Sequence, residues 1–147
     1  FQLGQTHAIL RYLARRFNLC GETEEDEAII DSLSERYSDY YDDILPWMSV
    51  AEGYTKGDER HLRERILYPA SVRFFSCLEM FLKQGNGFLA RSGLSYVDLV
   101  VAEGLSQIME YESRMIEEHK RIDEYVKKIR RIPRIRDWLT RRPRSQG

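Results

Sequence analysis

A helix-start signal followed directly by an apolar run, in residues 94–109, constrains the fold of this chain more than any other segment. Ser95 and Asp98 have the spacing of a capping box, in which each side chain accepts a hydrogen bond from the other residue's backbone N–H. Leu94 and Leu99 have the spacing of a hydrophobic staple. The run that follows is apolar around most of the helix circumference: Val100, Val101, Ala102, Leu105, Ile108 and Met109. Such a helix belongs inside a bundle, so we predict a central helix with Ser95 and Asp98 as its structural cap.

The rest of the chain predicts further helices and no strand. Apolar residues recur at helical spacing in five other segments: residues 8–17, 28–44, 62–82, 122–129 and 135–139. Pro46 should disturb the second of these near its end, and Pro69 should kink or break the third. Helix follows helix throughout, so we predict an all-α fold, a compact helical bundle.

Charge and length exclude several classes of protein. The 147 residues fit one ordinary domain, and the formal net charge of −1 implies no overall attraction to nucleic acid or to an anionic membrane. The acidic residues 22–43 and the basic residues 120–144 are expected to be two solvated helix faces. No apolar run is long enough to span a bilayer. We therefore predict neither nucleic acid nor membrane as a partner.

The residues alone predict no reaction. The sequence has no nucleophile elbow and no glycine-rich phosphate loop. His7, His61 and His119 lack metal-ligand spacing and are expected to be exposed, so we predict no metal. Cys20 and Cys77 should pack as small hydrophobic residues, as is usual in a reducing, cytoplasmic setting.

Motifs along nearly the whole chain change this interpretation. Residues 5–15 read Gln-Thr-His-Ala-Ile-Leu-Arg-Tyr-Leu-Ala-Arg, which resembles the Gln-Ser-x-Ala-Ile-x-Arg-Tyr-Leu helix of sigma-class glutathione transferases. The similarity continues in the same order through Gly21, residues 31–39, Pro46-Trp47, residues 88–98 and residues 132–143. The resemblance implies a glutathione transferase C-terminal helical domain in residues 20–147, preceded in residues 1–19 by the last helix of a thioredoxin-like domain. The family's catalytic tyrosine is then expected upstream, and the chain is expected to be inactive alone.

The resemblance also implies site residues. Gln5 and Thr6 match the pair that holds the γ-glutamyl end of glutathione, and the N-terminus of a helix suits a carboxylate on physical grounds; alternatively, Thr6 only caps its helix. Asp39 matches the aspartate that reaches across the homodimer to the neighbour's glutathione. Trp47 matches a residue of the acceptor-substrate pocket, with an ordinary core position as the alternative. Ser38 replaces one aspartate of the prostaglandin D branch's acidic cluster, so that metal site is incomplete.

Three functions are compatible with this resemblance. The first is a glutathione S-transferase, in which the thiolate of glutathione, a substrate, attacks a small electrophile. The second is a glutathione-dependent isomerase of the prostaglandin D type. The third is a non-catalytic protein, like the lens crystallins derived from this class, or a binding module.

Overall fold

The structure is a computed structural model, and it describes residues 1–143. The predicted all-α class is confirmed: within these residues the regular structure is helical, and the β-structure is limited to two isolated bridges, Gly85 to Phe88 and Ala90 to Gly93. The helices are α1 (Thr6–Arg16), α2 (Glu24–Ala51), α3 (Glu59–Leu62), α4 (Tyr68–Gln84), α5 (Tyr96–Tyr111), α6 (Ser113–Glu117), α7 (Lys120–Arg130) and α8 (Pro133–Arg141), with a π-helical turn (Arg63–Leu67) between α3 and α4. None of the helices in this part of the chain is long and apolar enough to cross a membrane.

Helix α5 is the centre of the bundle, as the sequence predicts. It packs against α1, α2, α6 and α7, and the capping box forms at its start. The side-chain oxygen Oδ2 of Asp98 accepts from the Ser95 backbone N–H at 2.8 Å and from the Ser95 hydroxyl at 2.9 Å. Its other oxygen accepts from the Leu89 N–H at 2.9 Å. Burial raises the pKa of Asp98, and these hydrogen bonds oppose that rise.

Helices α2 and α5 approach closely at Gly104. A Cβ atom at Gly104 would overlap the hydroxyl oxygen of Tyr37 and would lie 2.6 Å from its Cζ. Tyr37 in turn contacts the aromatic residues Tyr40 and Phe74, whose rings stack with centroids 4.4 Å apart. The absence of a side chain at Gly104 therefore lets a tyrosine fill the interface between the two helices.

The two prolines act differently from each other. Helix α2 continues through Pro46 to Ala51, so the predicted disturbance does not end this helix. The predicted break near Pro69 is a π-helical turn that comes before the proline. Pro69 itself is the second residue of α4, which continues directly from this turn, and its lack of a backbone N–H removes one bond from the helical ladder there.

Burial of the cysteines and of Trp138 differs. Cys20 and Cys77 are half-buried against the core, as predicted. The Trp138 side chain of α8 is 58% exposed, and the contacts with the core are made by Ile135 and by Ile132, just before the helix. Helical spacing groups Ile135, Trp138 and Leu139 in one apolar pattern, but this short helix does not bury the whole of that pattern.

Candidate functional site

The N-terminus of α1 presents Gln5 and Thr6 to solvent. Both residues are exposed. Gln5, not Thr6, is the N-cap, and its side chain makes no capping hydrogen bond. The Gln5 carbonyl accepts from the N–H of Ile9 at 3.0 Å, while the first N–H groups of a helix have no acceptor within the helix. These free donors at the positive end of the helix dipole favour a bound carboxylate.

Gln5 also has an unusual backbone conformation. Its φ is 69° and its ψ is 122°, and a positive φ at a residue other than glycine is uncommon. Such a residue costs of order 1–3 kcal/mol and persists only where its surroundings hold it. Gln5 directly precedes α1, so this conformation sets the direction in which the chain enters the helix.

Polar contacts hold α1 on α2. His7 Nδ1 lies 3.0 Å from the hydroxyl oxygen of Ser34, which is fully buried. Arg11 donates to Glu35 at 3.1 Å, and Arg15 donates to Glu27. The expectation that His7 is simply exposed is therefore wrong, because the chain folds its imidazole onto a buried hydroxyl.

His119 also departs from the expected exposed position. Its Nδ1 lies 3.2 Å from a carboxylate oxygen of Glu79, and its ring contacts Phe75 edge-on at 5.0 Å between centroids. His61, the remaining histidine, is exposed as expected. The contacts of His7 and His119 join residues 27 and 40 positions apart, which local polarity could not reveal.

The opposite face of α1 is apolar and uncovered. Four side chains on it are between 38% and 64% exposed: Ile9, Tyr12, Leu13 and Phe17. Phe1 and Leu3 lie beside them and line a groove of about 820 Å³ with Tyr12. A contiguous apolar patch of this kind marks an interaction surface.

Asp39 lies on α2, four residues after Glu35, and is exposed. Residues four apart in a helix share a face, and Glu35 contacts α1. No hydrogen bond or ion pair joins Asp39 to Gln5 or Thr6 within the described residues 1–143. A single chain therefore places the carboxylate on the side of α2 near α1 but leaves it free.

Trp47 lies in the core. Its side chain has no exposed surface, and its indole N–H donates to Glu59 at 3.2 Å. Arg63, in the π-helical turn, also donates to Glu59. The Arg63 guanidinium and the indole N–H lower the pKa of Glu59. This geometry matches the core alternative for Trp47, and sequence reasoning missed both of its polar partners.

Comparison with known proteins agrees with this arrangement. Residues 41–142 match the family model for the glutathione S-transferase C-terminal domain. The chain is 32% identical to the probable glutathione S-transferase 6 of Caenorhabditis elegans, over 96% of this chain and 69% of that protein. It also resembles the structure of a Nu-class glutathione transferase from Haemonchus contortus, with 30% identity, a TM-score of 0.89 and coverage of 100% of this chain and 72% of the other. A third similar structure is prostaglandin synthase D of Nilaparvata lugens, with 25% identity, a TM-score of 0.83 and coverage of 97% and 70%.

Proposed function

The chain belongs to the glutathione S-transferase family, and from this premise we propose that it serves the transfer of glutathione to small electrophiles. In this reaction the glutathione thiolate attacks an electrophilic carbon and displaces a leaving group or adds to a double bond. The match over residues 41–142 is the observation that carries the proposal.

The proposed glutathione contact is the N-terminus of α1. The free N–H donors of its first turn would bind the γ-glutamyl carboxylate, and the Thr6 hydroxyl would donate a further hydrogen bond. The exposed positions of Gln5 and Thr6 support this role. Glutathione is thus a substrate, and no metal takes part in the proposed reaction.

A second part of the proposal concerns the division of the chain. Residues 1–19 would be the end of a thioredoxin-like domain and residues 20–147 the helical domain, with the catalytic tyrosine upstream. The uncovered apolar face of α1 supports this division, because a preceding domain would bury it. The curated relative of Caenorhabditis elegans is also longer than this chain, which covers 69% of it.

The class and the assembly are further proposals. The motifs in residues 5–15 favour the sigma class, whereas the similar protein of Haemonchus contortus is described as Nu-class. A cytoplasmic homodimer would bring Asp39 to the neighbour's γ-glutamyl ammonium. The exposure of Asp39 and its lack of a partner within residues 1–143 support that role.

A prostaglandin D-type isomerase is the second candidate function. The similarity to prostaglandin synthase D of Nilaparvata lugens favours it. Complete burial of Trp47 counts against the contact with the acceptor substrate that the Pro46-Trp47 motif implies. The transferase therefore remains the better supported function.

Titration of the purified chain with glutathione in a calorimeter tests the proposed site. We expect measurable binding that weakens in Thr6→Val, which removes the hydroxyl and keeps the shape. Thr140→Val, an exposed threonine of α8, is the matched control and should bind like the parent. Equal binding by both variants would show that Thr6 is not part of the site. Absence of binding by the parent chain would show that the proposed site is wrong.

A conjugation assay with an activated aryl chloride tests the location of the catalytic group. We expect little catalysis by residues 1–147, because a thiol with an ordinary pKa of about 8.5 is mostly protonated at neutral pH. Rapid conjugation would show that the group that activates the thiol lies within this chain.

A further inference from the structure

Five neighbouring polar side chains connect α1 to the bundle at two points, His7 and Arg11. His7 contacts the Ser34 hydroxyl at 3.0 Å. Ser34 lies close enough to the Tyr96 hydroxyl to lower its pKa, and this hydroxyl donates to Asp31 Oδ1 at 2.8 Å. Asp31 then pairs with Arg11 at 3.9 Å. We refer to these five residues as the polar ring.

The polar ring joins three helices through a buried centre. His7 and Arg11 are four residues apart on one face of α1, Asp31 and Ser34 lie on α2, and Tyr96 is the first residue of α5. Ser34 and Tyr96 are 0% and 4% exposed, so they form the fixed part of the ring. Burial raises the pKa of Tyr96 to about 12, which keeps its hydroxyl protonated as the donor to Asp31 at neutral pH.

Apolar packing cannot by itself fix the first turn of α1. The only fully buried residue of this helix is Ala14, near its other end. The backbone bond between Tyr96 and Leu19 also lies beyond the C-terminal end of α1. Leu10, in the second turn, packs partly against the core. In the first turn, His7, the residue immediately after Thr6, contacts the buried Ser34.

We propose that the polar ring positions the N-terminus of α1 for the γ-glutamyl group of glutathione, with His7, Ser34 and Tyr96 as positioning residues. This inference rests on the proposed function. The ring holds the backbone next to Gln5, whose positive φ needs such support. Free N–H donors bind a carboxylate well only when their geometry is fixed before the ligand arrives.

Two conservative variants break the ring, and a third serves as control. Ser34→Ala and Tyr96→Phe each remove one hydroxyl and leave the carbon skeleton in place. Arg15→Gln breaks the ion pair between Arg15 of α1 and Glu27 of α2, which lies outside the polar ring. We measure the glutathione Kd by calorimetry, the hydrogen exchange of the Ile9 amide, which bonds the Gln5 carbonyl, and the stability to urea.

The expected result separates positioning from stability. Ser34→Ala and Tyr96→Phe should raise the glutathione Kd by about threefold to tenfold, the effect of losing one hydrogen bond. They should also speed exchange of the Ile9 amide, whereas Arg15→Gln should change neither quantity appreciably. A Kd that stays at the parent value, or that rises equally in Arg15→Gln, would overturn the inference even if the ring variants were less stable.

Failure of the proposed function gives a different result. If the parent chain does not bind glutathione, the proposed site is wrong. The amide exchange alone then tests whether the polar ring fixes the first turn of α1. In that case the ring would still be supported as the structure that holds the first turn of α1 if the Ile9 amide exchanged faster in both ring variants. The Phe17 amide, at the other end of α1, should then exchange at the parent rate. Unchanged exchange at Ile9 would overturn that as well.

Discussion

Replacement of Asp98 should be among the most damaging single changes in this protein. Asp98 has no exposed surface and accepts three hydrogen bonds: from the Leu89 N–H, the Ser95 N–H and the Ser95 hydroxyl. In Asp98→Ala these donors lose their acceptor, and a buried donor without a partner costs about 1–3 kcal/mol. The hydroxyl can rotate to another acceptor, but the two backbone groups cannot. We therefore expect a loss of about 3–5 kcal/mol, close to the whole stability of a marginal domain.

Asp98→Asn distinguishes the hydrogen bonds from side-chain volume. Asparagine fills the same space but replaces one acceptor oxygen with an NH₂ group that faces backbone donors. It should therefore remain substantially destabilised, whereas Ser95→Ala, which keeps both backbone bonds to Asp98, should lose only about 1 kcal/mol. Urea unfolding followed by circular dichroism measures all three variants. The reasoning fails if Asp98→Asn is as stable as the parent. It also fails if the stability losses of Ser95→Ala and Asp98→Ala add fully in the double variant, because the losses at residues of one hydrogen-bond network should not be additive.

Three further predictions concern other parts of the bundle. Gly104→Ala should destabilise the protein by about 1–3 kcal/mol, because the new methyl group overlaps Tyr37; a gain in urea stability, as for an ordinary helix glycine, would show that the interface relaxes freely. Glu59 has a lowered pKa in the folded state, so its contribution to stability is present above its usual pKa and is lost as the pH falls through the folded value. Glu59→Gln should therefore show a smaller loss of stability on acidification, accompanied by a weaker pH dependence of Trp47 fluorescence, and identical acid profiles would contradict this. Asp39→Asn should leave the unfolding free energy within about 0.5 kcal/mol of the parent, and a larger loss would reveal a structural contact of this exposed carboxylate in solution.

Local spacing predicted the parts of the fold that depend on local contacts. Ser95 and Asp98 are three residues apart, so their capping box and the helix that follows are visible in the sequence. The polar ring is not visible, because its hydrogen bonds join residues 27 and 65 positions apart. The sequence does contain one hint of this contact. His7 and Arg11 share a helix face with the buried Ala14, which indicates that this face of α1 lies against the bundle.

The candidate site was predicted from resemblance, not from the chemistry of the residues. Gln5 and Thr6 form no recognisable constellation in isolation, and the positive φ of Gln5 cannot be read from a glutamine. Trp47 shows the limit of a motif, because Pro46-Trp47 says nothing about the Glu59 side chain that holds the indole inside the bundle. Whether a side chain such as Trp47 is buried depends on the residues that it contacts, and a short motif does not reveal them.

The π-helical turn between α3 and α4 changes how insertions and deletions would act here. A π-turn holds one residue more than the corresponding α-helical turn, and each residue of an α-helix rotates the next side chain by about 100°. Removing one residue from Arg63–Leu67 would convert the turn into α-helix and keep Phe74 and Phe75 oriented toward the core, at the cost of placing Pro69 inside a regular helix. The same deletion inside α4 would rotate one half of its buried face into solvent. The length of the chain can therefore vary by one residue at this turn, whereas in the helix that follows it is fixed.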